Sequence, residues 1–95
     1  MKNYKNKSTD NLVETILALK TKEQCYNFLE DLCTIKEIQD MSQRLDTAIL
    51  LDSGESYQSI SEKVGVSSAT ISRVNNCLNY GTGGYKSAID NLKKD

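Results

Sequence analysis

Apolar residues recur along this chain at three- and four-residue intervals, and nowhere do they alternate strictly over the length of a strand. Leu12, Val13, Ile16, Leu17 and Leu19 mark a first amphipathic helix behind the candidate caps Ser8 and Thr9. Thr21-Lys22-Glu23-Gln24 has the form of a capping box, in which the Thr oxygen and the Gln side chain each satisfy a backbone N–H without an intrahelical partner. The helix it opens carries Cys25, Phe28, Leu29, Leu32 and Cys33 as one stripe. Thr34-Ile35-Lys36-Glu37 is a second capping box. It opens a longer helix with Ile38, Met41, Leu45, Ala48 and Ile49 on one face, ending near Gly54.

Beyond Gly54 the elements shorten. Ser56 can cap a helix of about two turns that ends at Val64-Gly65. Ser67 can cap another, running to Tyr80 and stopped by Gly81. Gly81-Thr82-Gly83-Gly84 reads as a turn, and a last helix sets Tyr85, Ala88, Ile89 and Leu92 on one face. The expectation is an all-α chain of six helices without internal repeats. Residues 1–8 form a flexible polar start and residues 9–95 a single helical domain.

The short pair has the form of a helix-turn-helix between residues 56 and 80. Such a unit needs two helices crossing steeply around a turn too tight for a side chain, and Gly65 supplies that turn. The inward positions counted from it are Ile60, Val64, Val66, Ile71 and Val74, all apolar. Ser61 is small where the helices approach, although alanine is the usual choice. An ordinary αα-corner obeys the same packing rules, so the outward face decides function. With Ile71, Val74 and Leu78 inward, about 100° per residue turns Ala69, Ser72, Arg73 and Asn76 outward.

Ser67, Ser68 and Thr70 flank that face at a helix N-terminus, where short hydroxyls and free N–H groups favour phosphate. Arg73 and Asn76 have the donors to read guanine and adenine edges, and small Ala69 and Ser72 let the helix enter a groove closely. Ser56 and Gln58, on the first motif helix, complete the candidate DNA contacts. A plain N-cap also accounts for Ser67, and a solvated surface charge for Arg73.

The stretch Gln43-Arg44-Leu45 through Leu50-Leu51, Ser56-Tyr57-Gln58-Ser59-Ile60 and Ser68-Ala69-Thr70-Ile71-Ser72-Arg73-Val74 closely resembles the Trp repressor superfamily. Tyr80-Gly81-Thr82-Gly83-Gly84-Tyr85 resembles the ending of its YerC/YecD branch. The resemblance runs from Thr21 to Leu92. It implies a six-helix fold, an intertwined homodimer built from the helices outside the motif, and regulation of transcription. It also implies that the helix from Ser68 to Tyr80 enters the major groove.

In the Trp repressor one arginine on the long helix and one on the recognition helix hold tryptophan. Arg73 matches the second; the first falls on Gln43, or on Arg44 after a shift of one residue. The glycine that makes room for the ligand is Val74 here. Gln43, Arg44, Arg73, Val74 and Cys77 are thus the residues of a possible effector pocket for an unknown small molecule. Tryptophan is not the expected ligand.

Composition sharpens this picture. The chain has 95 residues, 38% apolar and 6% aromatic with no tryptophan, a thin core that dimerisation can complete. No apolar run is long enough to span a membrane, and the basic start from Met1 to Lys7 lacks the apolar segment of a signal peptide. A cytoplasmic location is expected. Cys25, Cys33 and Cys77 form no Cys-x-x-Cys pair and histidine is absent, which argues against a zinc site or a disulfide framework. Cys25 and Cys33 read as small buried hydrophobes, with a reactive thiol as the alternative. No cofactor is expected.

Formal net charge is −1, unlike a nonspecific polyanion binder. The charges are segregated: Glu23, Glu30, Asp31, Glu37, Asp40, Asp46 and Asp52 face only Lys36 and Arg44 between them, while Lys2, Lys5, Lys7, Lys86, Lys93 and Lys94 sit at the ends. A specific DNA binder needs basic character only towards the phosphates. The reading is a sequence-specific DNA-binding regulator, a homodimer on a near-palindromic operator of double-stranded DNA. The acidic span favours an alternative, an interaction module of the same fold that no longer touches DNA. No nucleophile–base constellation points to an enzyme.

Overall fold

The computed structural model describes residues 3–94, and among them it contains six α-helices and no strand. They are α1 (Lys7–Ala18), α2 (Lys22–Leu32), α3 (Ile35–Asp52), α4 (Tyr57–Val64), α5 (Ser68–Tyr80) and α6 (Gly84–Lys93). Contacts group the chain into two compact units, Met1–Ile38 and Gln39–Asp95. The basic position Lys2 lies outside the described residues.

In the first unit α1 begins earlier than its apolar pattern suggests. Asn6 is the cap in place of Ser8 or Thr9: its Oδ1 accepts from the Thr9 N–H at 2.9 Å, and Thr9 Oγ1 accepts from the Asn6 N–H at 2.8 Å. Threonine here does the work usually left to Glu or Gln at the third helical position. Helix therefore claims Lys7 and Ser8 from the stretch expected to be flexible. At α2, Thr21 Oγ1 accepts from the Gln24 N–H at 3.0 Å as expected. The Gln24 side chain, however, accepts from Lys20 N–H at 2.9 Å instead of from Thr21. Neither α1 nor α2 buries a residue; Val13, Ile16, Leu17, Tyr26 and Leu32 are more than half exposed, and Cys25 and Cys33 are only half-buried.

α3 opens on the expected reciprocal box. The Thr34 N–H donates to Glu37 Oε1 at 2.8 Å, and the Glu37 N–H donates to Thr34 Oγ1 at 3.1 Å. Its far end closes as a Schellman pair, with the Glu55 N–H on the Leu50 carbonyl and the Gly54 N–H on the Leu51 carbonyl, both at 3.0 Å. Gly54 takes φ +89° there, a left-handed conformation that suits glycine.

The core of the second unit gathers Ala48, Val74 and Ile89, with Ile49, Leu51 and Tyr85 packed against them. Thr47 is also fully buried, a polar core position that the apolar pattern does not mark; its hydroxyl donates to the Gln43 carbonyl at 2.7 Å. On α6 only Ile89 and Tyr85 of the expected stripe are covered, and Leu92 stays 62% exposed.

α6 is tied to the end of α3 by charge. Lys86 Nζ meets Asp52 Oδ1 at 2.6 Å and Lys93 Nζ meets Oδ2 at 3.2 Å, while the Asp52 side chain is 7% exposed. Two tail lysines that the sequence offers as basic surface are thus paired with an acid of the acidic span. The hydrogen bonds from Lys86 and Lys93 hold the Asp52 carboxyl below its ordinary value of 3.8. The same Asp52 bond raises Lys86 above 10.5. A carboxyl depressed in the fold contributes stability above its unfolded pKa and loses it as pH falls through the folded one. Asp52→Asn should therefore lower the melting temperature at neutral pH, with the difference from wild type fading under acid conditions below pH 3.8. Thermal melts followed by circular dichroism across that range check it; a pH-independent difference would assign the loss to packing.

Candidate nucleic-acid interface

Each motif helix is capped by a serine. Ser56 Oγ accepts from the Ser59 N–H at 3.1 Å to start α4, and Ser67 Oγ accepts from the Thr70 N–H at 3.2 Å to start α5. Beside the first cap, Glu55 takes the Ser59 hydroxyl at 2.6 Å and both carboxylate oxygens meet Lys63 Nζ at 2.9 Å. Those bonds, that of Lys63 foremost, hold the Glu55 carboxyl below the usual glutamate value.

Between the helices Gly65 adopts φ +82°, and its N–H returns to the Ser61 carbonyl at 2.9 Å. The Ser61 hydroxyl donates to the Val66 carbonyl at 3.0 Å, a bond that alanine could not make. Serine at this close approach therefore ties down the turn as well as fitting it. α5 ends where the Gly81 N–H meets the Cys77 carbonyl at 2.9 Å. A Cβ on Gly81 would run into that same carbonyl oxygen, so close approach and not a left-handed φ demands glycine there.

The motif sorts its side chains as the spacing requires. Ile60 and Ile71 are fully buried and Val74 is 3% exposed, while Val64, Val66 and Leu78 are half-buried. On the other side Ser67, Ser68, Ala69, Ser72, Arg73 and Asn76 are exposed, as are Ser56, the cap of α4, and Gln58 within it; Thr70 is half-buried. Among the described residues the Arg73 guanidinium has no hydrogen-bond or ion-pair partner.

A shallow depression of about 520 Å³ lies on this outer face, lined by Tyr57, Ser72, Arg73, Asn75, Asn76 and Tyr80. Tyr57, Asn75 and Tyr80 are absent from the contacts read in the sequence. Tyr80 had a legible signal, standing one helical turn past Asn76; Tyr57 comes from another helix and had none. The proposed effector residues are not gathered in this way. Gln43, Arg44 and Cys77 are exposed, Val74 is packed with Ala48 and Ile89, and of the five only Arg73 lines the depression.

Among the described residues no group of three His, Cys, Asp or Glu side chains is placed to hold a metal ion. No helix there is long and apolar enough to cross a membrane.

Residues 7–93 match the family described as Trp repressor protein. The chain belongs to the Trp repressor family. It is 49% identical over 90 residues to the uncharacterized protein YerC of Bacillus subtilis (strain 168), covering 95% of this chain and 86% of that one. It is similar to the crystal structure of a TrpR like protein from Eubacterium eligens ATCC 27750, with a TM-score of 0.90 and 45% identity over 94% of this chain and 92% of that one. A structure from Staphylococcus aureus ascribed to the Trp repressors gives a TM-score of 0.90 at 40% identity, covering 96% and 91% of the two chains. The Trp repressor family is one of DNA-binding regulators, and the six-helix arrangement is its fold.

Proposed function

We propose that the chain is a sequence-specific DNA-binding regulator of transcription that works in the cytoplasm and uses α5 as its recognition helix. The observation that carries this reading is the exposed Arg73, without a partner among the described residues, on a face otherwise made of Ser68, Ala69, Ser72 and Asn76. Behind that face the buried Ile71 and Val74 hold the helix in place. Ser67, Ser68 and Thr70 at the N-terminus of α5, with Ser56 and Gln58 at the N-terminus of α4, meet phosphates; Arg73 and Asn76 read base edges. Ala69 and Ser72 are small enough to bring the backbone near the bases.

The working unit is a homodimer on a near-palindromic operator. Leu12, Val13, Ile16 and Leu17 of α1 are exposed apolar residues, and a second copy is the occupant the family relationship supports. Two-fold symmetry then sets the recognition helices about 34 Å apart, one turn of DNA. In that assembly residues 9–95 act as one helical domain.

Selection of duplexes from a random-sequence pool by the full chain tests the reading. Enrichment of a near-palindrome is expected, with affinity falling steeply as salt rises. Arg73→Ala should weaken binding to the enriched duplex by about 1–3 kcal/mol and relax one base pair. Sedimentation equilibrium of the same preparation should give a dimer. Absence of any salt-dependent binding would move the fold to the interaction-module reading.

A further inference from the structure

We propose that Tyr57 and Tyr80 form an aromatic clamp on the sugar-phosphate backbone, closing the trough in which Arg73 and Asn76 read bases. The inference rests on the DNA-binding reading and extends it to two residues to which the spacing of the motif gives no contact.

Tyr80 is 84% exposed, and at about 100° per residue it continues the stripe of Ala69, Ser72, Arg73 and Asn76. Eleven residues separate Ala69 from Tyr80, a rise of about 16 Å along the helix. The major groove is only about 12 Å wide. A helix that enters the groove N-terminus first and outruns it in this way can set Tyr80 against the backbone at the rim. Tyr57 reaches the same trough from the first turn of α4, beside the Ser56 cap, and is 39% exposed.

The lining chemistry fits this occupant. Two phenols, a guanidinium, two amides and a hydroxyl surround the trough, with no carboxylate among them. Of the lining residues, Asn75 is held by a hydrogen bond, its Oδ1 accepting from Asn79 Nδ2 at 3.0 Å. A phenol donates its hydroxyl to a phosphate oxygen while its ring packs against deoxyribose, so one side chain meets both the polar and the apolar part of the backbone. Contacts of this kind position the protein without reading sequence.

The test uses the full chain, the duplex it enriches from a random-sequence pool, and the same duplex carrying one base-pair mismatch. Tyr57→Ala and Tyr80→Ala should each weaken both duplexes about tenfold, leaving the ratio between them unchanged, while Arg73→Ala changes that ratio. Tyr80→Phe, which removes only the hydroxyl, should fall between wild type and Tyr80→Ala. Nitration of the wild-type chain by tetranitromethane, mapped by mass spectrometry, supplies a readout that needs no substitution: bound duplex should protect Tyr57 and Tyr80. Unchanged affinity in both alanine variants, an altered ratio, or nitration indifferent to DNA would overturn the clamp alone. Failure of the wild-type chain to enrich any duplex would remove the DNA-binding reading and the clamp with it.

Discussion

Ile71→Ala should destabilise the fold by about 2–5 kcal/mol, the cost of truncating a fully enclosed aliphatic side chain and leaving a cavity behind it. Ile71 is 0% exposed, as is Ile60 on the preceding helix. Few other side chains share the burden: Ala48, Val74 and Ile89 complete the buried apolar set among the described residues. Since a domain of this kind has about 5–15 kcal/mol in total, one such loss is a large fraction of it. Urea unfolding of the variant beside wild type measures the change. Arg73→Ala, two residues away on the opposite face, should move stability by less than about 0.5 kcal/mol. A similar loss in both variants would mean that the two faces of α5 are not separated as described.

L-Tryptophan should not bind. Val74 stands where the resemblance to the Trp repressor puts a glycine that leaves room for the ligand. In this chain its side chain is 3% exposed and packed with Ala48 and Ile89. The branched side chain thus belongs to the permanent core. Inserting an indole beside it would cost at least about 1–3 kcal/mol in overpacking. Gln43 and Arg44 add no compensating grip, because both are exposed and neither lines the depression that holds Arg73. Isothermal titration should show no saturable heat, and binding tighter than about 100 μM coupled to stronger DNA binding would overturn this expectation. Without tryptophan as a corepressor, the proposed DNA binding would be constitutive, or set by another ligand or a protein partner.

Much of the motif was legible because its causes are local. The boxes and caps at Thr34, Ser56 and Ser67 act over three residues, and the Gly65 turn over four. Helical periodicity turned Ser72, Arg73 and Asn76 outward and Ile71 and Val74 inward, and the structure keeps that division. Where a local rule admitted a substitute, the reading slipped. Threonine closed the box at Asn6 in place of a glutamate or glutamine, and the Gln24 side chain reached Lys20 instead of Thr21.

Other features arise between residues that no period connects. The Asp52 clasp joins partners 34 and 41 positions apart, so composition alone counted Lys86 and Lys93 as basic surface. The trough needs Tyr57 from α4 beside Tyr80 at the far end of α5, a meeting set by how the two helices pack. Apolar spacing drew the faces of α1 and α6, yet Leu17 and Leu92 stay 77% and 62% exposed. The sequence by itself determined the caps and the turn of the motif and which way its residues point, because hydrogen bonds and side-chain periodicity within a helix span a few residues. Only the tertiary structure decided which of those faces are covered and which distant charges and aromatics meet, because burial depends on what another segment brings against a surface.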